Sequence, residues 1–500
     1  MTGPINDVKI ITTPWSSQRP EDLFAVENPA TGGLIATVQG ASSEGVNAAV
    51  AAAETVWRTS WRWISPRERG RLLLNCARLL REHADELARI ESEEIGKPIT
   101  QARLADMEAC IGSFEMFGGL AGALPSQIQE QGPLLSLSTL EPFGVVGGII
   151  PFNWPPIHTA GKSAPALAVG NTVVLKPPEQ GPFTVMRIVE LLNTVLPSGV
   201  LTVVPGLGSC GEALAGHPLV RVVSFTGAPA TGMAVIRTVA RNLTPTVMEL
   251  GGKNALIIFE DADVDQAVRG AIEGAFFNQG EACTAASRIL VHASLYDEVV
   301  ARLTKAVFRL RVGDPADPAT HVGPLVTERQ RKRVLDYIEI GMGEGATLAV
   351  QASLPTDPRL AGGFWVAPTL FIDVRPDMRI AREEIFGPVT AVIRFESYED
   401  AIGIANGTDF GLMAGLYTND FTKAWRASRE LDVGVVLVNN YNRNFYGTPF
   451  GGGKHSGYGR EHALETLRAY GHTKTVRVPT GLGKIQQWSA LSDVLGPENY

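Results

Sequence analysis

Between residues 65 and 98 the apolar positions Leu72, Leu73, Cys76, Leu79, Leu80 and Leu87 recur at three- and four-residue steps, the spacing of one helix face. Ser65 stands ready as the N-cap, and Pro66 fits the first turn, where a missing N–H costs nothing. Gly96 and Pro98 stop the run. The whole span 42–123 reads as helical. Cys76 lies on the apolar stripe and Cys110 in a further helical stretch, so both are expected in the core.

From residue 132 the period shortens. Apolar or β-branched runs at 143–151, 172–175, 201–204 and 220–225 are each followed by Gly or Pro and, in most cases, by a helical segment. Such alternation implies right-handed βαβ units, a buried parallel sheet and a ligand crevice beyond the carboxyl ends of its strands. A second series is predicted at 255–259, 288–291, 389–395, 412–417 and 434–438, with helices between; Asp263 is the expected N-cap of the helix that leads to Cys283. The last run, 473–478, stands alone and needs a sheet to join, which a partner subunit would supply.

The chain has 500 residues, more than one hydrophobic core accommodates, so two or more domains are expected. A content of 45% apolar and 19% charged residues fits an ordinary globular protein, and a net charge of -8 leaves no basic face for a nucleic-acid partner. Cys76, Cys110, Cys210 and Cys283 form no CxxC pair and no metal-ligand spacing, so neither a disulfide framework nor a metal site is expected. The first twenty residues lack a signal-peptide pattern and no apolar stretch is long enough for a bilayer, which makes the cytoplasm the expected location and a membrane partner unexpected.

Two motifs carry the chemistry. In the first, Phe276, Phe277, Asn278, Gln279, Gly280, Glu281, Ala282, Cys283 and Thr284 end a predicted helix in a glycine-containing bend that presents one thiol. In the second, Glu249, Leu250, Gly251, Gly252, Lys253 and Asn254 follow a predicted strand and set a carboxylate beside two glycines. Either alone is a turn. Together, and at this separation, they resemble the aldehyde dehydrogenase superfamily, and the match runs from about residue 25 to about residue 480.

The resemblance implies an α/β fold: a Rossmann-type parallel-sheet dinucleotide domain (1–124 and 143–251), an α/β catalytic domain (252–468), and a small oligomerisation extension (125–142 and 469–500) that builds a homodimer or homotetramer. It makes Cys283 the nucleophile and Glu249 the general base. A free aldehyde carbon cannot expel its hydrogen, so thiol attack must first give a thiohemiacetal; hydride transfer then leaves a thioester for Glu249-activated water. With an ordinary thiol pKa of about 8.5, a local positive potential or base must assist.

Asn153, with the Cys283 N–H, is assigned to the oxyanion, and on residue type alone it is also a cap for the helix that follows. Lys162 matches a lysine kept near the active site. For the cofactor, no Gly-x-Gly-x-x-Gly follows the first strand of the sheet. Instead Phe225, Gly227, Ala228 and Gly232 span a strand-to-helix turn suited to pyrophosphate, with Ala228 where the family usually has serine. Lys176 and Glu179 fit a ribose-binding pair, and a carboxylate there favours NAD over NADP. Glu384 and Phe386 are assigned to the nicotinamide end, and Ile149, Pro151, Trp154 and Leu250 complete the set.

The substrate, a small-molecule aldehyde, is expected to meet His158, Gly161, Phe277, Thr284 and Phe450, with Trp154 as a further aromatic wall. Small and polar residues at His158 and Gly161 suggest a bulky or aromatic substrate, and Arg443 is a candidate anchor for a substrate carboxylate. The segment Lys454, His455, Ser456 and Gly457 receives no chemistry. Two other readings compete. A coenzyme A-acylating relative typically lacks the base, so Glu249 counts against it; a non-catalytic scaffold has no need to keep Cys283, Glu249 and Asn153 together.

Overall fold

The computed structural model describes residues 10–441 and 446–488 with 490, 491 and 494; the expected anchor Arg443 lies outside them. Two parallel sheets organise these residues. The first contains β1 (Val145–Ile149), β2 (Thr172–Lys176), β3 (Leu201–Val203), β4 (Val220–Thr226) and β5 (Thr246–Glu249), hydrogen-bonded in the order β5-β4-β1-β2-β3. Successive strands run outward from β1 to β3 on one side, then resume at β4 on the other. The order therefore reverses between β1 and β4, where the outgoing loops separate and leave a crevice. β1 and β2 are buried at every position, which is why they read as continuous apolar runs rather than as alternating ones.

Helix α1 (Pro155–Val169) leaves β1, and α2 (Pro229–Val239) leaves β4. The helices at Ser43–Thr59, Pro66–Glu82, Ala84–Ile95 and Glu108–Leu120 occupy the predicted helical span, and Ser65 caps the second of them by accepting from Glu68 N. Cys76 and Cys110 are fully buried among Phe114, Leu167 and their neighbours, and Cys210 is buried against Ile149 and Phe225.

The second sheet begins immediately after β5, with β6 (Ala255–Ile258), β7 (Arg288–His292), β8 (Thr369–Ile372), β9 (Val389–Phe395), β10 (Met413–Tyr417) and β11 (Val435–Val438) in the order β8-β9-β7-β6-β10-β11. Thr347–Gln351 adds an antiparallel edge beside β8. Helix α3 (Val264–Phe276) joins β6 to β7, and α4 (Glu328–Gly343) packs over the β8 side through Val334, Tyr337 and Ile338. Gln127–Glu130, Leu134–Pro142 and Gly471–Pro479 form a separate antiparallel sheet, so the last predicted strand finds its first partner within the chain.

One sequence expectation needs correction, and two strand pairings were not predicted. Leu23–Asn28 and Gly33–Gln39 pair as antiparallel strands; their mixed pattern of exposed, half-buried and buried positions leaves little period-two signal. Asn153 does not cap α1: Trp154 occupies the N-cap position without a side-chain cap bond, and Pro155 and Pro156 fill the first turn, where N–H groups need no partner. Gly457–Tyr458 pairs antiparallel with β5 at the edge of the first sheet.

Candidate active site

Cys283 sits on a bend whose backbone is fixed from several directions. Asp263 starts α3 by accepting from Gln266 N at 3.1 Å, and the helix ends at Phe276. Asn278 (φ 52°), Gln279 (φ 55°) and Gly280 (φ 68°) then take left-handed conformations in succession. Each non-glycine residue costs about 1–2 kcal/mol there, so the surroundings must hold the turn. At Gly280 any Cβ would lie 2.3 Å from Gly387 O. The Asn278 amide donates to Asn153 O and to Glu281 O, each at 3.0 Å, and Asn278 N donates to Gln101 Oε1 at 2.9 Å. Beyond the bend, the Asn254 amide donates to Cys283 O at 2.7 Å and Ala285 O at 2.9 Å, and the Tyr441 hydroxyl donates to Thr284 O at 2.9 Å. Gly252 is packed so closely that an added Cβ would lie 2.3 Å from Cys283 O.

Asn153, which is 3% exposed, approaches the same bend from the end of β1. Its carbonyl is doubly held, by Asn278 and by Lys97 Nζ at 2.9 Å. Lys97 is fully buried, donates to Glu91 Oε1 at 2.6 Å and to Asp106 Oδ2, and places its ammonium 4.3 Å from the centre of the Trp154 ring. Burial, then the neighbouring Asp106, push the Glu91 carboxyl well above the usual carboxylate range. Lys97 therefore stands between two buried acidic side chains, Glu91 and Asp106.

Glu249 ends β5, buried, and among the described residues neither carboxyl oxygen has a hydrogen-bond partner. Burial, then the charge of Glu461, raise its pKa well above the ordinary carboxylate value. Burial pushes the Glu461 carboxyl up as well, but Lys162, His462 and His158 together overcome it and hold it down to about 2. Lys162 Nζ donates to Thr226 Oγ1 at 2.7 Å and to Ser224 Oγ and Glu461 Oε1, each at 3.2 Å. The two neighbouring carboxyls are thus pushed in opposite directions, Glu249 up and Glu461 down.

A cavity of about 710 Å³ opens at the reversal between β1 and β4, within the volume range of small-molecule sites. Pro151, Asn153, Gly227, Ala228 and Leu250 line it from the first sheet, and Cys283, Glu384 and Phe386 face them from the second. Glu384 Oε1 accepts from Gly252 N at 2.8 Å, so the carboxylate at one end of the groove is tied to the loop that supports the thiol. Ala228 is the N-cap of α2 and has no side chain to cap it. Glu179 accepts from Lys176 Nζ at 2.8 Å and lines a smaller adjoining hollow, which shares Arg329 with the main cavity. Ile149, Phe225 and Gly232 lie beneath the floor as buried support, and are not among the lining residues.

Trp154 also lies off the groove wall. It stacks on Phe277 with ring centres 5.8 Å apart, packing with Ala282 and Ala285 on the other side of the thiol. His158 and Gly161 lie on α1 one turn apart, with Lys162, facing the Glu461-His462 segment; Phe450 bridges to Glu461 through the backbone. Among the described residues, no group of three or more His, Cys, Asp or Glu side chains is placed to hold a metal ion, and no helix is long and apolar enough to cross a membrane.

Sequence reasoning missed four contributors. Lys97 and Asn254 act through backbone carbonyls, Glu461 reaches Lys162 across 299 positions, and Ser456 receives Gly411 N while donating to Gly251 O at 2.7 Å. Only Asn254 and Ser456 lay inside motifs already singled out; nothing local distinguished Lys97 or Glu461 from surface charges.

The model of the aldehyde dehydrogenase family matches residues 15–476. The chain is 52% identical over 481 residues to the aldehyde dehydrogenase citD of Monascus ruber, covering 96% of each chain. It is 46% identical to an aldehyde dehydrogenase of Didymella fabae, over 97% of this chain and 99% of that one. Among solved structures, an NAD+ complex of an aldehyde dehydrogenase from Bacillus cereus superimposes with a TM-score of 0.89 at 38% identity, over 92% of this chain and 93% of that one.

Proposed function

The chain belongs to the aldehyde dehydrogenase family, and we propose that it oxidises an aldehyde to the carboxylic acid with NAD by covalent catalysis at Cys283. The observation that carries this reading is the thiol's place: Cys283 lines the main cavity beside Asn153, with Glu384 and Phe386 on the same wall and the buried Glu249 behind the Gly251-Gly252 loop. NAD binding is supported by the NAD+ complex of the Bacillus cereus relative. The groove fits such a cofactor: the Gly227-Ala228 turn offers backbone N–H groups at the start of α2, Glu384 offers an acceptor at the far end, and Phe386 offers a flat apolar contact. Glu179, paired with Lys176, favours a free ribose over a 2'-phosphate, which supports NAD rather than NADP.

On this reading the Cys283 sulfur attacks the carbonyl carbon, and the developing oxyanion is received by the Asn153 amide and the Cys283 N–H. Each such donor contributes about 3 kcal/mol to the transition state. NAD, when bound, supplies the hydride acceptor. Glu249, once ionised, takes a proton from water, which adds to the thioester carbon; collapse returns the thiolate and frees the acid. Nearby Lys162 and Glu461 set the charge that Glu249 meets. A coenzyme A-acylating enzyme has no use for a base at Glu249. Trp154, Phe277 and Phe450 favour an aromatic or otherwise bulky aldehyde. We assign the first sheet and its helices to the cofactor, the second to the nucleophile, and the Gln127–Glu130, Leu134–Pro142 and Gly471–Pro479 sheet, exposed along nearly all of its last strand, to subunit contact.

Formation of NADH on mixing the protein with NAD and benzaldehyde tests the activity, and Cys283→Ala must abolish it. Glu249→Gln separates the steps. It should give one rapid equivalent of NADH per site and then stall; uninterrupted turnover in that variant would remove Glu249 from the reaction.

A further inference from the structure

His158 is 8% exposed, and among the described residues neither Nδ1 nor Nε2 has a hydrogen-bond partner. Leaving both nitrogens of a buried imidazole unspent is costly, so the arrangement calls for a ligand that supplies what the protein does not. A second imidazole stands nearby with its Nδ1 also unpartnered: His462, held at φ 64° next to Glu461. At Gly161 no side chain stands between α1 and this segment, and a Cβ there would meet His462 Cε1 at 3.7 Å and Glu461 Oε2 at 3.8 Å in ordinary van der Waals contact. The neighbourhood is aromatic. The His462 ring packs edge-on against Tyr446 at 5.5 Å and tilted against Phe450 at 5.8 Å.

Resting on the aldehyde oxidation proposed above, we infer that His158 and His462 read a hydroxyl group on the substrate, which makes the preferred aldehyde a ring-hydroxylated aromatic one. The chemistry of the two sides matches. Burial, then the charge of Lys162, push the His158 ring down to about 3, so it stays neutral and offers one donor and one acceptor. A phenolic hydroxyl has the same pair to give in return. A carboxylate substituent fits less well, because the Glu461 carboxylate lies beside the imidazoles and Lys162 Nζ is already engaged by Ser224, Thr226 and Glu461. A purely apolar ring leaves the nitrogens unsatisfied, and that loss is the source of discrimination.

The test compares kcat/KM for 2-, 3- and 4-hydroxybenzaldehyde with that of the corresponding methylbenzaldehydes at saturating NAD. In the unaltered enzyme at least one hydroxy isomer should exceed its methyl counterpart by about tenfold or more, the scale of one satisfied hydrogen bond. This ratio requires no variant. In His158→Leu and His462→Leu the preference should collapse toward unity, and His158→Gln, which keeps a donor and an acceptor, should restore part of it. Equal rates for every hydroxy and methyl pair in the unaltered enzyme, or a preference that survives His158→Leu and His462→Leu together, would overturn the inference while leaving aldehyde oxidation standing. Failure to form NADH from any of the six aldehydes would overturn both.

Discussion

Replacing Lys97 with methionine removes a buried cation that faces Glu91 and Asp106 and one of the two donors that hold Asn153 O. All three charged side chains are fully buried. Removing one partner from a buried ion pair costs about 3–5 kcal/mol, because the remaining charge has no solvent to meet. Lys97→Met should therefore unfold at markedly lower denaturant. A second effect concerns catalysis. With its carbonyl held only by Asn278, Asn153 loses half of its backbone anchoring, and misplacing the amide forfeits part of an oxyanion donor that is worth about 3 kcal/mol. A 10- to 100-fold fall in kcat, about 1.4–2.7 kcal/mol, is expected with little change in the NAD dissociation constant. Stability and catalysis are separable by removing the charges together, as Glu91→Gln, Lys97→Met and Asp106→Asn in one chain. That variant leaves no buried ion, so it should recover most of the lost stability while kcat stays low. Full activity in the triple variant would refute the positioning argument, and an unchanged denaturation midpoint in Lys97→Met would refute the energetic one.

Because Glu249 holds its proton above the usual carboxylate range, the base form grows as pH rises, and steady-state kcat should climb through a raised pKa rather than level off near pH 5. Glu461→Gln removes a negative charge that favours that proton, so the climbing limb should move to lower pH; a shift in the other direction contradicts the assigned charge pattern. Ala228→Ser gives α2 a side-chain cap, which should add about 1 kcal/mol of stability in thermal melts and tighten NAD in titration calorimetry. Gly252→Ala forces a Cβ to 2.3 Å from Cys283 O, so the bend must move: kcat should fall by more than tenfold although thiol, base and amide are all retained, and unchanged kinetics would mean the bend is not held in the manner described.

The sequence disclosed the layers because their signals are local. Val145–Ile149 and Thr172–Lys176 are continuous apolar strands, and Ser65 and Asp263 declare helix starts by residue type, as their cap bonds to Glu68 N and Gln266 N bear out. Glu249, Asn153 and Cys283 were legible as a set through a family pattern, since each alone looks like a turn. What stayed hidden is held by long-range contacts between ordinary residues. Lys97 reaches Asn153 across 56 positions and Asn278 reaches it across 125, and this bonding replaces the cap role that its position before Pro155 suggested. The unspent nitrogens of His158 are hidden for the opposite reason: an absence of partners has no sequence signature at all.

The contrast between nucleophile and base has a mechanistic sense on the proposed reading. Cys283 is carried on backbone gripped by Asn254, Asn278 and Tyr441, at the cost of two non-glycine residues with positive φ. Glu249 is bound to the same region by its backbone, since Gly227 N donates to its carbonyl at 3.0 Å, but its carboxyl group spends neither oxygen on the protein. The sulfur must meet one carbonyl carbon twice, in attack and in hydrolysis, so its position gains from being fixed. The base acts in only the second half, on a water that arrives after the hydride has left, and a carboxyl without hydrogen bonds to break can turn toward that water at little cost. The upward shift of its pKa points the same way: a carboxylate ionised too early would add negative charge beside the site where the oxyanion must form, whereas a group whose proton is held more tightly is charged less readily before a base is required.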